Sequence, residues 1–244
     1  MLKDKDVFLF DLDGTLLTIE TEQFLKYYFG ALSSKFEDLC NKQEDFIKLL
    51  MDSTEQMIKN DGSQSNQQAF MEAFMEEIEV ENGKESAEKI KERFDHFYQN
   101  EFAALGKYFE IDRENPLEII EHLKKNNKRL VLATNPLFPK EAVEKRLSWT
   151  GINPADFELL THYENMSYAK PNPNYYQEIL GKINVNAENC LMIGNDLKED
   201  AAAAELGITT FIIEDKLIER KACNYPVEWR GSLREFKELL KKEM

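Results

Sequence analysis

The sequence predicts an α/β protein with a parallel sheet core and an inserted helical segment. Two observations support this fold class. Short apolar runs of strand character alternate with amphipathic helical patterns, and this order builds parallel sheets through right-handed crossovers. One long stretch after the first strand shows only helical spacing of its apolar residues. We therefore expect a sheet-based core and a separate helical module.

Five apolar runs have strand character. They are Val7–Phe10, Leu130–Ala133, Phe157–Leu160, Leu191–Ile193 and Thr209–Ile213. Near-continuous apolar character is typical of strands that are buried on both faces of a parallel sheet. The runs therefore predict a central sheet that is covered by helices on both sides.

Helix start and stop signals lie between these runs. Asn115 followed by Pro116 predicts a helix start with Asn115 as the cap. Asn172-Pro173 predicts another start in the same way. Gly207 predicts the end of a helical run over Ala201–Leu206.

Residues 17–107 form the predicted helical insertion, and residues 1–16 and 108–244 form the predicted core. Aromatic residues recur in the insertion at helical spacing, for example Phe70 and Phe74. We interpret them as the hydrophobic core of the module rather than as a cofactor pocket. The polar stretch Lys59–Gln68 predicts a loop.

Composition excludes several classes of partner. The 244 residues carry a net charge of −15, so we expect neither nucleic acid nor an anionic membrane as a partner. No apolar run approaches the length of a membrane span. Cys40, Cys190 and Cys223 are few and far apart, which predicts reduced thiols and a cytoplasmic protein.

The first apolar run ends in Asp11 and Asp13, followed by Gly14. In open α/β sheets, ligands bind beyond the carboxyl ends of the strands. Two carboxylates at such a position can hold a divalent cation, and one of them can attack an electrophile. The alternative is an acidic turn that caps the next helix.

Other polar residues follow the later strands. They are Thr134-Asn135, Lys170, Asn195-Asp196 and Asp200. Each has an ordinary structural explanation, such as a helix cap or a solvated lysine. Because parallel strands end at one edge of the sheet, the joint pattern instead predicts one crevice with acidic pairs, a hydroxyl and an ammonium group.

These residues resemble the four motifs of the haloacid dehalogenase superfamily of phosphohydrolases. The motifs are Asp11-Leu12-Asp13-Gly14-Thr15, Thr134, Lys170 and Gly194-Asn195-Asp196-xxx-Asp200, in the order of the family. The resemblance implies a Rossmann-like core with a cap inserted after the first motif. It also implies a Mg²⁺-dependent phosphatase that acts on a small phosphorylated metabolite.

Roles follow from the resemblance residue by residue. Asp11 is expected to be the nucleophile, and Asp13 the acid and base. Thr15 is expected to tie down the loop that carries them. Thr134, with Asn135 beside it, is expected to bind the phosphoryl group.

Lys170 is expected to neutralise the phosphoryl group, and Asp200 to orient Lys170. The implied Mg²⁺ ligands are Asp11, the carbonyl of Asp13, and either Asn195 or Asp196. Many members of the family have Gly-Asp where this chain has Gly194-Asn195. Because Mg²⁺ prefers anionic oxygen, charge favours Asp196.

Alternative functions remain open at this point. A phosphomutase would keep the same residues. Another C–P or C–halogen hydrolase of the superfamily is also possible, although a leaving halide needs no acid such as Asp13. If the protein is not an enzyme, the alternative is a metal-binding scaffold. Thr18, Glu20, Thr21 and Phe24 are predicted to face the crevice, and no oligomeric state is predicted.

Overall fold

A computed structural model of the protein describes residues 2–40, 42–81, 86–219 and 225–244. It contains one six-stranded parallel sheet with the strand order β3-β2-β1-β4-β5-β6. The strands are β1 (Val7–Phe10), β2 (Arg129–Leu132), β3 (Leu159–Leu160), β4 (Cys190–Gly194), β5 (Thr209–Ile213) and β6 (Trp229–Gly231). The predicted fold class is confirmed.

The predicted bounds of β1 and β5 agree with this sheet, and those of β2 and β4 differ from it by one residue at each end; two larger differences remain. The third strand was predicted over Phe157–Leu160 but covers only Leu159–Leu160. Phe157 is held in a preceding turn, because its N–H group donates to the carbonyl of Pro154. The sixth strand, Trp229–Gly231, was not predicted. It has three residues and pairs only with β5, so it leaves almost no pattern in the sequence.

The described ranges contain eight α-helices. They are α1 (Thr21–Ser33), α2 (Gln43–Ile58), α3 (Asn66–Glu81), α4 (Ala87–Asn100), α5 (Glu114–Lys125), α6 (Lys140–Trp149), α7 (Pro173–Ile183) and α8 (Leu233–Glu243). Ala201–Leu206 is helical as predicted, but as a 3₁₀ helix that ends before Gly207. None of the helices in the described ranges is both long and apolar enough to cross a membrane.

One predicted helix cap is wrong. Asn115 lies inside α5, because the helix already begins at Glu114. The carboxylate of Asp112 accepts hydrogen bonds from the N–H groups of Glu114 at 3.0 Å and Asn115 at 3.4 Å. Asp112 therefore accepts from the first N–H groups of the helix, and Asn115 is one of the donors instead of the cap. The other predicted start is confirmed, since Asn172 caps α7 through its side chain.

Helices α1–α4 follow β1 in the sequence and precede α5, in the stretch where the aromatic spacing predicts helices. Their aromatic side chains pack on each other. The rings of Phe36 and Phe46 are stacked at 4.9 Å, and Phe94 lies 4.7 Å from Phe36. Burial of such rings is the main source of stability for a module of this size.

Candidate active site

The ends of β1, β2 and β4 meet at one edge of the sheet. Phe10 is in register with Leu132 and with Ile193, so the residues that follow them are neighbours in space. A cavity of about 250 Å³ lies beyond this edge. The predicted site residues that line it are Asp11, Asp13, Thr134, Asn135, Asn195, Asp196 and Asp200.

Lys170 lies beneath this cavity and is 2 % exposed. Its Nζ donates to Oδ1 of Asp11 at 2.9 Å and to Oδ1 of Asp200 at 2.6 Å. Burial opposes the charged form, but Asp11 and Asp200 outweigh it and raise the pKa of Lys170 well above its usual range. The lysine is therefore a buried ammonium group that bridges the side chains of Asp11 and Asp200.

Asp11 has a perturbed carboxyl group. Burial raises its pKa to about 8, because desolvation disfavours the charged form. Lys170 acts in the opposite direction, whereas Asp200 and Asp13 add to the increase. A strongly perturbed acid in a cavity, with a specific charged partner, is a feature of functional sites.

Asp200 organises the loop that follows β4. Its Oδ2 accepts hydrogen bonds from the N–H groups of Asn195 at 2.8 Å and Asp196 at 2.9 Å. A Cβ atom on Gly194 would lie 2.1 Å from Cγ of Asp200, so the chain needs glycine there. Through its other oxygen, Asp200 holds Lys170, and the two strand-end loops are thus fixed to each other.

The loop after β1 is held by Asn195. The hydroxyl of Thr15 donates to Oδ1 of Asn195 at 3.2 Å, and Nδ2 of Asn195 donates to the carbonyl of Lys216 at 2.6 Å. Gly14 has a φ of 83°, which favours glycine, and a Cβ there would lie 2.2 Å from Nδ2 of Asn195. The amide of Asn195 is therefore engaged in supporting the loop.

Asp196 is a second buried carboxylate at the cavity. Its Oδ1 accepts hydrogen bonds from the N–H groups of Lys198 at 2.7 Å and Glu199 at 3.0 Å. Within the described ranges, no three His, Cys, Asp or Glu side chains form a metal-binding group.

Thr134 and Asn135 follow β2. Thr134 is buried and lines the cavity. The side chain of Asn135 accepts from the N–H group of Lys170 at 3.2 Å and donates to Glu199 at 3.0 Å. Asn135 thus ties the backbone at Lys170 to the loop after β4.

Arg146 on α6 was not predicted as a site residue. It is 1 % exposed, and its Nη1 donates to Oδ2 of Asp13 at 2.5 Å. A signal was present in the sequence. Arg146 lies four residues after Ala142 and next to Leu147, so it occupies the apolar face of its helix.

Apolar residues of the insertion and core form the other walls of the cavity. They are Ile19, Phe24, Leu25, Leu137, Phe138 and Ile218. Of the four residues predicted to face the crevice, Thr21 and Phe24 line it. Thr18 and Glu20 do not, and the carboxylate of Glu20 pairs with the ammonium of Lys216.

Comparison with protein families gives one match that covers most of the chain. A family model described as haloacid dehalogenase-like hydrolase matches residues 5–207. The chain belongs to this family. It is therefore an enzyme of the hydrolase class, as the motifs indicate. A search of curated proteins gave no significant match.

Solved structures of low sequence identity share the fold of this hydrolase. A HAD phosphatase from Thermococcus onnurineus has a TM-score of 0.59 and 16% identity, with 97% of each chain covered. CbbY from Rhodobacter sphaeroides in complex with phosphate has a TM-score of 0.57 and 20% identity, and the match covers 95% of this chain and 96% of that one. L-2-haloacid dehalogenase from Xanthobacter autotrophicus has a TM-score of 0.57 and 10% identity, and the match covers 98% of this chain and 100% of that one.

Proposed function

We propose that this hydrolase is a Mg²⁺-dependent phosphatase that acts on a small phosphomonoester through an aspartyl-phosphate. The observation that carries the proposal is the position of Asp11. It lies at a cavity of about 250 Å³, 2.9 Å from the buried ammonium of Lys170, with Asp13 two residues further on. A nucleophile, a cation and a second carboxylate are the groups that phosphoryl transfer through a covalent intermediate needs.

In the first step, an oxygen of Asp11 attacks phosphorus and the bond to the leaving oxygen breaks. The leaving oxygen keeps the electron pair and takes a proton from Asp13. In the second step, a water gives a proton to Asp13 and attacks phosphorus. The bond to Asp11 breaks, and inorganic phosphate and the free carboxylate are released.

The residues at the cavity fit Mg²⁺. This ion prefers oxygen ligands and keeps several waters, so one or two carboxylates are sufficient. Asp11 and Asp196 would supply them, with the backbone carbonyl of Asp13 as a third ligand. Asn195 is the weaker candidate, because its amide oxygen accepts from Thr15. The bound ion would screen negative charge between the carboxylates and the phosphoryl group.

Lys170 and Thr134 would bind the phosphoryl oxygens, and Asn135 would hold the backbone that carries Lys170. Asp200 would keep the ammonium group in place. The small number and wide spacing of the cysteines support a cytoplasmic enzyme, and it would act on a small phosphorylated metabolite. The prediction for Cys223 lies outside the described residues.

The proposal is tested by measuring phosphate release from a panel of phosphorylated metabolites, with Mg²⁺ and with EDTA. We expect release from at least one compound with Mg²⁺, and loss of release with EDTA or in Asp11→Asn. Release that persists in Asp11→Asn would refute the covalent mechanism. Product analysis on sugar phosphates distinguishes a phosphomutase, which would return an isomer instead of phosphate.

A further inference from the structure

The guanidinium of Arg146 is buried at the junction of the insertion and the core. An arginine is almost never fully buried unless a partner compensates its charge. Here the other buried residues of α6 are apolar or small, and Arg146 alone brings a charge to that face. Its position needs an explanation beyond helix packing.

Arg146 has one hydrogen-bonding partner and two aromatic neighbours. Nη1 donates to Oδ2 of Asp13, whereas Nε and Nη2 have no hydrogen-bond partner in the part of the chain that the structure describes. The guanidinium lies over the ring of Phe138 at 4.3 Å and over that of Phe24 at 5.7 Å. Cation–π contact stabilises such a desolvated cation, but it does not replace hydrogen bonds.

The four residues Asp13, Phe24, Phe138 and Arg146 all line the same cavity. Phe24 belongs to α1 of the insertion, and Phe138 lies just before α6. The guanidinium of Arg146 therefore contacts one aromatic ring from the insertion and one from the core while it donates a hydrogen bond to Asp13. Asp13 lies on a short loop next to Gly14, so this hydrogen bond restricts the position of its carboxylate.

We propose that Arg146 is a positioning residue for Asp13, and this inference rests on the proposed function. The guanidinium holds Oδ2 of Asp13, so that Oδ1 carries the proton to the leaving oxygen as the phosphorus–oxygen bond breaks. Arg146 acts through Asp13 and not on the phosphoryl group. The guanidinium is suited to this task, because its charge-assisted hydrogen bond to Oδ2 is short and strong, and the rings of Phe24 and Phe138 hold the guanidinium itself in place.

The test uses Arg146→Met and Arg146→Lys in the full chain with Mg²⁺, and single-turnover rates on an alkyl and an aryl phosphate. A misplaced acid should slow phosphorylation by the alkyl phosphate by about 100-fold, the cost typical of small misplacements. The aryl phosphate has a good leaving group and needs little protonation, so its rate should change by less than about threefold. KM should change little, and Arg146→Lys should restore part of the alkyl rate.

A double-mutant cycle with Asp13→Asn gives the second readout. If Arg146 acts through Asp13, adding Arg146→Met to Asp13→Asn should slow the alkyl reaction by less than about threefold more. Arg129→Met is the matched control. Arg129 also pairs with a carboxylate at 2.9 Å, but on the surface and away from the cavity, and its loss should leave both rates unchanged.

Each outcome separates the inference from the proposed function. A parent enzyme without phosphatase activity overturns the proposed function and the inference together. An active parent whose Arg146→Met variant loses both rates equally, or multiplies the defect of Asp13→Asn, overturns the inference alone. If Arg146→Met does not fold, as judged by circular dichroism, the same comparisons are made with Arg146→Lys.

Discussion

The backbone N–H group of Asn66 donates a hydrogen bond of 2.8 Å to the carbonyl of Met166. Asn66 begins α3 in the insertion, whereas Met166 lies in the loop that leads from β3 to Lys170. The side chain of Asn66 adds a bond of 3.2 Å to the carbonyl of Tyr168. The insertion is thus hydrogen-bonded to the loop that carries Lys170. This contact lies far in sequence from both ends of the insertion.

The first prediction concerns this attachment. Asn66 is fully buried, and its Oδ1 also accepts from Asn60 at 3.0 Å. Asn66→Ala should lower the free energy of unfolding by about 1–3 kcal/mol, because buried partners lose their hydrogen bonds. Asn100→Ala removes an exposed side-chain bond and should cost less than about 0.5 kcal/mol. Equal effects in urea unfolding would contradict the prediction.

The second prediction concerns the nucleophile. Asp11→Asn should lower turnover by about 10⁴-fold or more, because the amide is a poor nucleophile. The fold should survive, since Lys170 keeps its bond to Asp200. Mass spectrometry of quenched reactions should show the phosphorylated protein only in the parent. Asp6→Asn, an exposed change at the opposite end of β1, is the control and should keep full activity.

The third prediction separates the two metal-ligand candidates. Asp196→Asn keeps an acceptor for the N–H groups of Lys198 and Glu199 but removes the charge. It should raise the Mg²⁺ concentration needed for half-maximal activity by about 10- to 100-fold. Asn195→Ala should raise it much less. A larger effect at Asn195 would reverse the assignment.

The fourth prediction tests the close packing behind the site. Gly194→Ala should displace Asp200 and Lys170, because the new Cβ would lie 2.1 Å from Cγ of Asp200. We expect a loss of activity and a lower melting temperature. Gly181→Ala is the matched control, because it lies in α7 with no atom within 4 Å of the new Cβ. It should raise stability by about 0.5–1 kcal/mol.

Much of the fold was predictable because its signals are local. The apolar runs of β1 and β5 and the side-chain cap at Asn172 depend on a few adjacent residues. The strand β6 was missed because its three residues are defined by pairing with β5, which is distant in sequence. The start of α5 was misplaced because Asp112, three residues before Asn115, accepts from the N–H groups of Glu114 and Asn115, so the helix begins earlier.

At the candidate site, the sequence predicts which residues lie near each other but not the hydrogen bonds between them. The edge of a parallel sheet brings Asp11, Thr134 and Asp196 together, so their proximity follows from strand order. The contact of Arg146 with Asp13 requires the packing of α6 against the first loop, which no local pattern encodes. The attachment at Asn66 is equally nonlocal.

The apolar walls of the cavity have a thermodynamic consequence. A ligand whose organic part covers Phe24, Leu25 and Leu137 removes apolar surface from water, so its binding should have a negative heat-capacity change. Inorganic phosphate would contact only the polar floor and should give a change near zero. Calorimetric titrations of Asp11→Asn at several temperatures would measure both values. Their difference would report how much of the substrate, beyond its phosphoryl group, the protein recognises.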